Sequence, residues 1–159
     1  MQNLFYKSLL ENFGHQPTKN QLEVIGELTD FVFLKVKKHL FVLKGYAGTG
    51  KTSLVGALVK TVPIINFDSV LLAPTGRAAK VLSNYANKPA FTIHKMIYSL
   101  KPGGDGFTRF TIKQNKFQNT IFLVDEASMI GDGGALSSKG WGESKSLLDD
   151  LLEFVYEGV

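Results

Sequence analysis

The residues with the clearest chemistry are Gly45-Tyr46-Ala47-Gly48-Thr49-Gly50-Lys51-Thr52. They fit G-x-x-x-x-G-K-[ST], the phosphate-binding P-loop. The three glycines let the backbone curl so that successive N–H groups point inward at one anion. The start of a following helix would add unpaired N–H groups and a positive dipole end. The candidate nucleotide contacts are therefore Gly45, Ala47, Gly48, Thr49, Gly50, Lys51, Thr52 and Ser53. Lys51 supplies a mobile cation for β- and γ-phosphates, and Thr52 a hydroxyl ligand for Mg²⁺.

A second constellation is Ile121-Phe122-Leu123-Val124-Asp125-Glu126, an apolar strand delivering two acids at its end. Such a pair also occurs in ordinary surface turns. Downstream of a P-loop it is the Walker B pattern: Asp125 to hold Mg²⁺, which wants oxygen ligands, and Glu126 to orient and deprotonate an attacking water. ATP and Mg²⁺ are the implied cofactors, with Glu126 and Lys51 as the catalytic candidates.

Elements must place these groups. The apolar run Leu40-Phe41-Val42-Leu43 reads as a buried strand into the P-loop, and Ser53 to Thr61 as the helix after it, with Leu54, Val55, Leu58 and Val59 at helical spacing. Upstream, 3–12 reads as a helix broken by Phe13-Gly14-His15-Gln16-Pro17, and Thr18 with Gln21 as a capping box opening a helix over 19–34. Ser69 to Ala73 is a second strand, 77–84 a helix, and 92–100 a short helix capped by Thr92. Phe107 to Ile112 alternates like a half-exposed strand and turns at Gln114-Asn115 toward Phe117, which predicts a small hairpin. Thr120 to Val124 is the third buried strand, 131–146 a Gly/Ser-rich mobile loop with Trp141 as its anchor rather than a stacking platform, and 146–156 a final amphipathic helix. Strands alternating with helices, each strand nearly all apolar, argue for a parallel sheet covered on both faces. The P-loop and the Asp-Glu pair would meet one nucleotide at its carboxyl edge.

Composition bounds the rest. The 159 residues suffice for one core-bearing domain, 44% hydrophobic and 20% charged. No apolar run approaches the roughly 18 residues of a membrane span, and Met1 to Lys7 lacks the pattern of a secretory signal. The absence of cysteine excludes disulfides, thiolate metal sites and thiol catalysis, and fits a cytoplasmic protein. The three histidines lie too far apart for a local metal motif. The net charge of +4 is compatible with a polyanionic partner. Lysine dominates it, and with only Arg77 and Arg109 the chain has few candidates for an arginine finger.

Four stretches carry a resemblance: the P-loop, Ala73-Pro74-Thr75-Gly76-Arg77-Ala78-Ala79, Thr92-Ile93-His94, and Val124-Asp125-Glu126-Ala127-Ser128-Met129. In this order the chain resembles the first motor domain of RecD-like and Dda-like superfamily 1B DNA helicases, over about 16–132. The resemblance implies an α/β P-loop NTPase (RecA-like) fold, three-layer αβα with a mainly parallel sheet, plus a small β-hairpin insertion at about 101–119. It gives Gln21 an adenine contact, for which an amide is suited, alongside its capping role. It places Pro74, Thr75, Gly76, Arg77, Thr92 and His94 on single-stranded DNA; Arg77 as a solvated arginine and His94 as a packed core histidine remain alternatives. The hairpin lies where relatives carry a strand-separating pin.

The same family pattern continues with a Gly-Asp…Gln strand and a second RecA-like domain, neither of which these residues contain. The expectation is one C-terminally incomplete domain over 1–159, the N-terminal motor fragment of an ATP-dependent 5′-3′ helicase, itself inactive in unwinding. Exodeoxyribonuclease V alpha subunits and conjugative relaxases share these motifs. A P-loop ATPase acting on protein partners would explain both Walker elements but not the other two stretches.

Overall fold

Gly14 stops the first helix because it takes the left-handed conformation (φ 81°) that ends helices cheaply. That helix, α1, spans Gln2–Phe13. After Pro17, Thr18 opens α2 (Lys19–Val32) with the predicted capping box. The Thr18 hydroxyl accepts from the Gln21 N–H at 3.3 Å, and the Thr18 N–H donates to Gln21 Oε1 at 2.8 Å. The computed structural model describes residues 1–36, 38–102, 108–131 and 146–157, and the side chains of 102, 108 and 109 are outside that description. The mobile loop and Trp141 anchor expected from sequence lie outside the described residues.

The elements that follow are α3 (Lys51–Thr61), a short 3₁₀ turn, β1 (Asp68–Ala73), α4 (Gly76–Ala86), β2 (Ala90–Thr92), α5 (Ile93–Ile97), β3 (Tyr98–Pro102), β4 (Thr108–Ile112), β5 (Thr120–Val124) and α6 (Leu147–Glu157). Three strands form one sheet in the order β2-β1-β5. β1 and β2 are parallel, with Leu71 beside Ala90 and Ala73 beside Thr92. The Asp68 N–H donates to the Asn119 carbonyl and the Asp125 N–H to the Leu72 carbonyl, so β5 also runs parallel to β1. Strand order, parallel direction and intervening helices are those of an α/β P-loop NTPase.

The chain divides into two compact units. The first comprises 1–70, 84–88 and 119–121. There α1 packs on α2 and α3 through Phe5, Leu9 and Phe13, with Ile25, Leu28, Leu54 and Leu58 buried among them. Thr61 sits inside this core fully buried, and both its partners are internal: it donates to the Ala57 carbonyl at 2.7 Å and accepts from Asn12 Nδ2 at 3.0 Å. A buried hydroxyl needs such partners to avoid a desolvation penalty. The second unit comprises 71–83, 89–118 and 122–159. Its core is Leu71, Leu72, Leu82, Ile93, Ile97, Leu151 and Phe154. Phe122 meets Phe154 edge-on, with ring centres 6.0 Å apart.

Three sequence expectations need correction. Leu40 to Leu43 is not a strand, and Leu40 and Val42 are 62% and 63% exposed. The run has the right composition, but no described strand pairs with it, and a strand exists by its ladder. The helix expected over 92–100 ends at Ile97, because Tyr98 to Pro102 is captured as β3. The hairpin is therefore β3 with β4, Tyr98 opposite Ile112 and Leu100 opposite Phe110. It does not turn at Gln114-Asn115. Instead Asn115 Nδ2 donates to the Phe154 carbonyl at 3.0 Å, tying that segment to α6.

Candidate nucleotide and nucleic-acid site

In the first unit the glycines do what the motif requires of them. Gly48 and Gly50 have φ of 77° and 88°, the left-handed region that side chains resist. At Gly45 the constraint is space: a Cβ there would lie 2.8 Å from Thr49 Oγ1. The loop is closed by Thr49, whose hydroxyl donates to the Tyr46 carbonyl at 2.8 Å. Gly50 then caps α3 without any side-chain bond, which leaves the first helical N–H groups available to an anion. The loop is thus a cradle that fits a phosphate chain.

Lys51 Nζ donates to the carbonyls of Gly45 and Tyr46 at 2.6 and 2.8 Å. Its ammonium closes the loop on itself, so reaching a phosphate requires exchanging these bonds. Gln21 is brought beside the loop by α2, and its Nε2 donates to the Thr49 carbonyl at 3.0 Å. Sequence reasoning missed one neighbour. The Ser53 hydroxyl lies 2.9 Å from the Tyr85 hydroxyl, and the Tyr85 ring rests 3.7 Å from where a Cβ on Gly56 would stand. The two residues are 32 positions apart, a separation no local pattern reports.

In the second unit three motifs follow the carboxyl ends of three neighbouring parallel strands. Pro74, Thr75, Gly76 and Arg77 follow β1; Thr92 ends β2 and His94 lies just beyond it; Asp125 and Glu126 follow β5. The sheet therefore brings them to one edge, where open α/β sheets bind ligands. Thr75 is exposed and caps α4, accepting from the Ala78 N–H at 3.2 Å. Arg77 is exposed in the first turn of α4. Thr92 caps α5, accepting from the Lys95 N–H at 3.2 Å.

His94 is half-buried with its ring 5.7 Å from that of Tyr98. Tyr98 donates to Asp150 on α6. Burial first, and then the carboxylate it bonds, push its phenol above the ordinary tyrosine range. Sequence reasoning assigned neither residue a role; the link crosses from hairpin to α6 and has no motif.

Asp125 is half-buried and Glu126 exposed. Asp125 Oδ1 accepts from the Glu126 N–H at 2.9 Å. Glu126 is left-handed, φ 52°, and the other described non-glycine residues with positive φ are Asn66, Asn87 and Asn119. Asparagine tolerates that conformation; glutamate pays about 1–2 kcal/mol for it. No described group of three His, Cys, Asp or Glu residues could hold a metal by itself. An ion held at Asp125 would thus draw further ligands from outside this group of acids, such as phosphate and water, the usual habit of Mg²⁺.

A family model described as an AAA domain matches residues 19–137. The chain belongs to this family. It is also 34% identical over 99 residues to the ATP-dependent RecD2 DNA helicase of Deinococcus radiodurans, a match covering 62% of this chain and 13% of that protein. Over 65 residues it is 38% identical to the ATP-dependent DNA helicase dda of Enterobacteria phage T4, covering 40% of this chain and 15% of that one. An uncharacterized protein of Methanocaldococcus jannaschii is 27% identical over 113 residues, 64% of this chain and 10% of its own. The chain thus spans about a tenth to a seventh of the length of these relatives. The AAA-domain chain is similar to the RecD-like and Dda-like helicases that its four motifs resemble. No described helix is long and apolar enough to cross a membrane.

Proposed function

We propose that this chain is the ATP-binding motor segment of an ATP-dependent helicase that moves 5′ to 3′ along single-stranded DNA in the cytoplasm. The observation that carries the reading is the P-loop itself: two left-handed glycines, a third with no room for a side chain, and a helix start with no side-chain cap. RecD2 and dda, both named as ATP-dependent DNA helicases, support the choice of track.

Each residue then has a task. The amides of 45–53 bind the phosphates, and Lys51 leaves its carbonyl partners for the β- and γ-oxygens. The Thr52 hydroxyl and the Asp125 carboxylate would hold Mg²⁺, which would supply charge neutralisation on the phosphates. Glu126 orients the attacking water and takes its proton. Thr75, Arg77, Thr92 and His94, with backbone at Pro74 and Gly76, bind the phosphodiester chain, a contact that positions without reading sequence. The arginine finger and the other half of the DNA track come from a second RecA-like domain.

Calorimetric titration with Mg-ATP tests the first half: Lys51→Ala should weaken binding by more than about tenfold, since it removes a charge-assisted contact. Equal affinity of the wild type and Lys51→Ala overturns the reading. Anisotropy of labelled oligo-dT tests the second half. Binding should fall with salt, and Arg77→Ala should flatten that slope by about one phosphate. Salt-independent binding removes DNA as the track.

A further inference from the structure

Tyr85 stands in the last turn of α4, yet its side chain is spent on α3. Its ring rests on α3 at Gly56, with Cε1 3.7 Å from where a Cβ there would stand. Its hydroxyl reaches back toward the start of that helix and lies 2.9 Å from the Ser53 hydroxyl. Ser53 and Gly56 sit three positions apart in α3 and so share one face. These two anchor points fix the phenol along that face. Burial does not demand the bond: Tyr85 is 54% exposed, and water would satisfy its hydroxyl equally well.

Ser53 closes the first turn of α3, whose own bonding begins with the Leu54 N–H on the Gly50 carbonyl at 2.9 Å. The N–H groups before Leu54 are the ones an anion takes. Helical side chains tilt toward the N-terminus, so the Ser53 hydroxyl leans toward the same end.

We propose that Tyr85 is a positioning residue of the nucleotide site, donating to Ser53 Oγ and so turning the Ser53 O–H onto a phosphate oxygen at the start of α3. The direction of the bonds follows from counting protons. Without an anion either hydroxyl can donate to the other. A triphosphate at the helix start offers acceptors, so the Ser53 proton goes to it. Ser53 Oγ then keeps its lone pairs for the Tyr85 O–H. The bonds run one way, from Tyr85 to Ser53 to phosphate, and each polarises the next. Tyr85 itself touches no phosphate in this arrangement.

This role rests on the nucleotide reading above, and one experiment tells their failures apart. The full chain and its Tyr85→Phe, Ser53→Ala and doubly substituted variants are titrated calorimetrically with ATP and with inorganic tripolyphosphate, each with Mg²⁺. Tyr85→Phe removes the donor and keeps the ring on Gly56, so its urea midpoint should match wild type. It should weaken both probes by the same factor, about two- to tenfold for one lost hydrogen bond. In the Ser53→Ala background the same substitution should change neither affinity by more than about twofold, since no hydroxyl is left to orient. A merely structural role would weaken binding by the same factor in both backgrounds and lower the urea midpoint. That outcome overturns the assignment, as does wild-type affinity in Tyr85→Phe. Weakening of ATP alone overturns it too, by placing the phenol on the nucleoside. Failure of the wild type to bind either probe overturns the nucleotide reading, and the role of Tyr85 falls with it.

Discussion

Leu40-Phe41-Val42-Leu43 and Ile121-Phe122-Leu123-Val124 are nearly interchangeable as text, and each runs into a candidate motif, the P-loop or the Asp-Glu pair. Only the second is a strand. β5 is half-buried throughout and joins the sheet beside β1. Leu40 and Val42 stand mostly exposed, while Phe41 rests edge-on against Phe31 with ring centres 5.3 Å apart. The consequence is two ways of placing a functional group. Asp125 is placed by a ladder, its N–H bonded to the Leu72 carbonyl at 3.0 Å. The P-loop is placed by its own turns and by side chains that reach its carbonyls: Thr49, Lys51 and Gln21. Apolarity makes a segment able to be a strand; a partner makes it one.

The largest test of this contrast is in stability. Leu72 has no exposure, and Leu72→Ala should cost about 2–5 kcal/mol through lost burial and a cavity. Val42→Ala should cost under about 0.5 kcal/mol, as for an exposed site. Urea denaturation of both variants measures the difference. A cost at Val42 equal to that at Leu72 would mean that the 40–43 run is buried as a strand, and the contrast collapses.

A second test sharpens the loop side. Gly48 and Gly50 share the left-handed conformation, yet a Cβ on Gly48 would meet nothing within 4 Å while one on Gly50 would strike Gln21. Gly48→Ala should therefore cost only the backbone term, about 1–2 kcal/mol. Gly50→Ala should cost about 1 kcal/mol more, for one displaced hydrogen bond, and should be the more damaging to Mg-ATP affinity. Equal effects in thermal melts and titrations would show that Gln21 yields freely.

What the sequence made legible was local. The capping box at Thr18, the break over 13–17, the P-loop and its helix, and the bounds of β1 and β5 all follow from residues within a few positions of one another. The family-level fold followed from those elements in order. What it hid was pairing over distance. Tyr98 to Leu100 suited the tail of a helix, and only Phe110 to Ile112 on the facing strand drew it into β3. Ser53 with Tyr85, and Tyr98 with Asp150, are contacts between segments whose own patterns already made sense without them. The strain at Glu126 is a backbone fact with no letter of its own.

The Tyr98–Asp150 link gives a smaller, pH-dependent effect on the hairpin side. The phenol is raised above its ordinary value of 10.0 in the folded chain. The unfolded chain then loses this proton first as pH rises. The stabilisation is whole below about pH 10 and is lost as pH climbs from there toward the folded value. Tyr98→Phe should cost about 1 kcal/mol at neutral pH and flatten the decline of stability above pH 10. An unchanged alkaline decline in the variant would assign it to another group.

The smallest effect lies at the amino end of the paired strand, where β1 is clamped in a way the 40–43 run is not. Lys88 Nζ bonds Asp68 Oδ1 at 2.6 Å and the buried Ser69 hydroxyl at 2.9 Å. The Lys88 hydrogen bond, then the Ser69 N–H, hold the Asp68 carboxyl below its ordinary 3.8. A depressed carboxyl stabilises the fold above the unfolded value and loses that contribution as pH falls through the lower folded one. Asp68 is 71% exposed, so solvent screens the pair and it is worth under about 1 kcal/mol. Lys88→Met should cost that little at neutral pH, and about 1 M salt should shrink the ionic part because the screening length falls to about 3 Å. The bond to Ser69 is neutral on the acceptor side and shielded, so its share should survive both salt and acid. A Lys88→Met cost that vanishes entirely in acid would place the whole clamp in the ion pair; a cost that ignores both salt and pH would place it in the Ser69 bond, making the start of β1 a matter of buried polar satisfaction rather than charge.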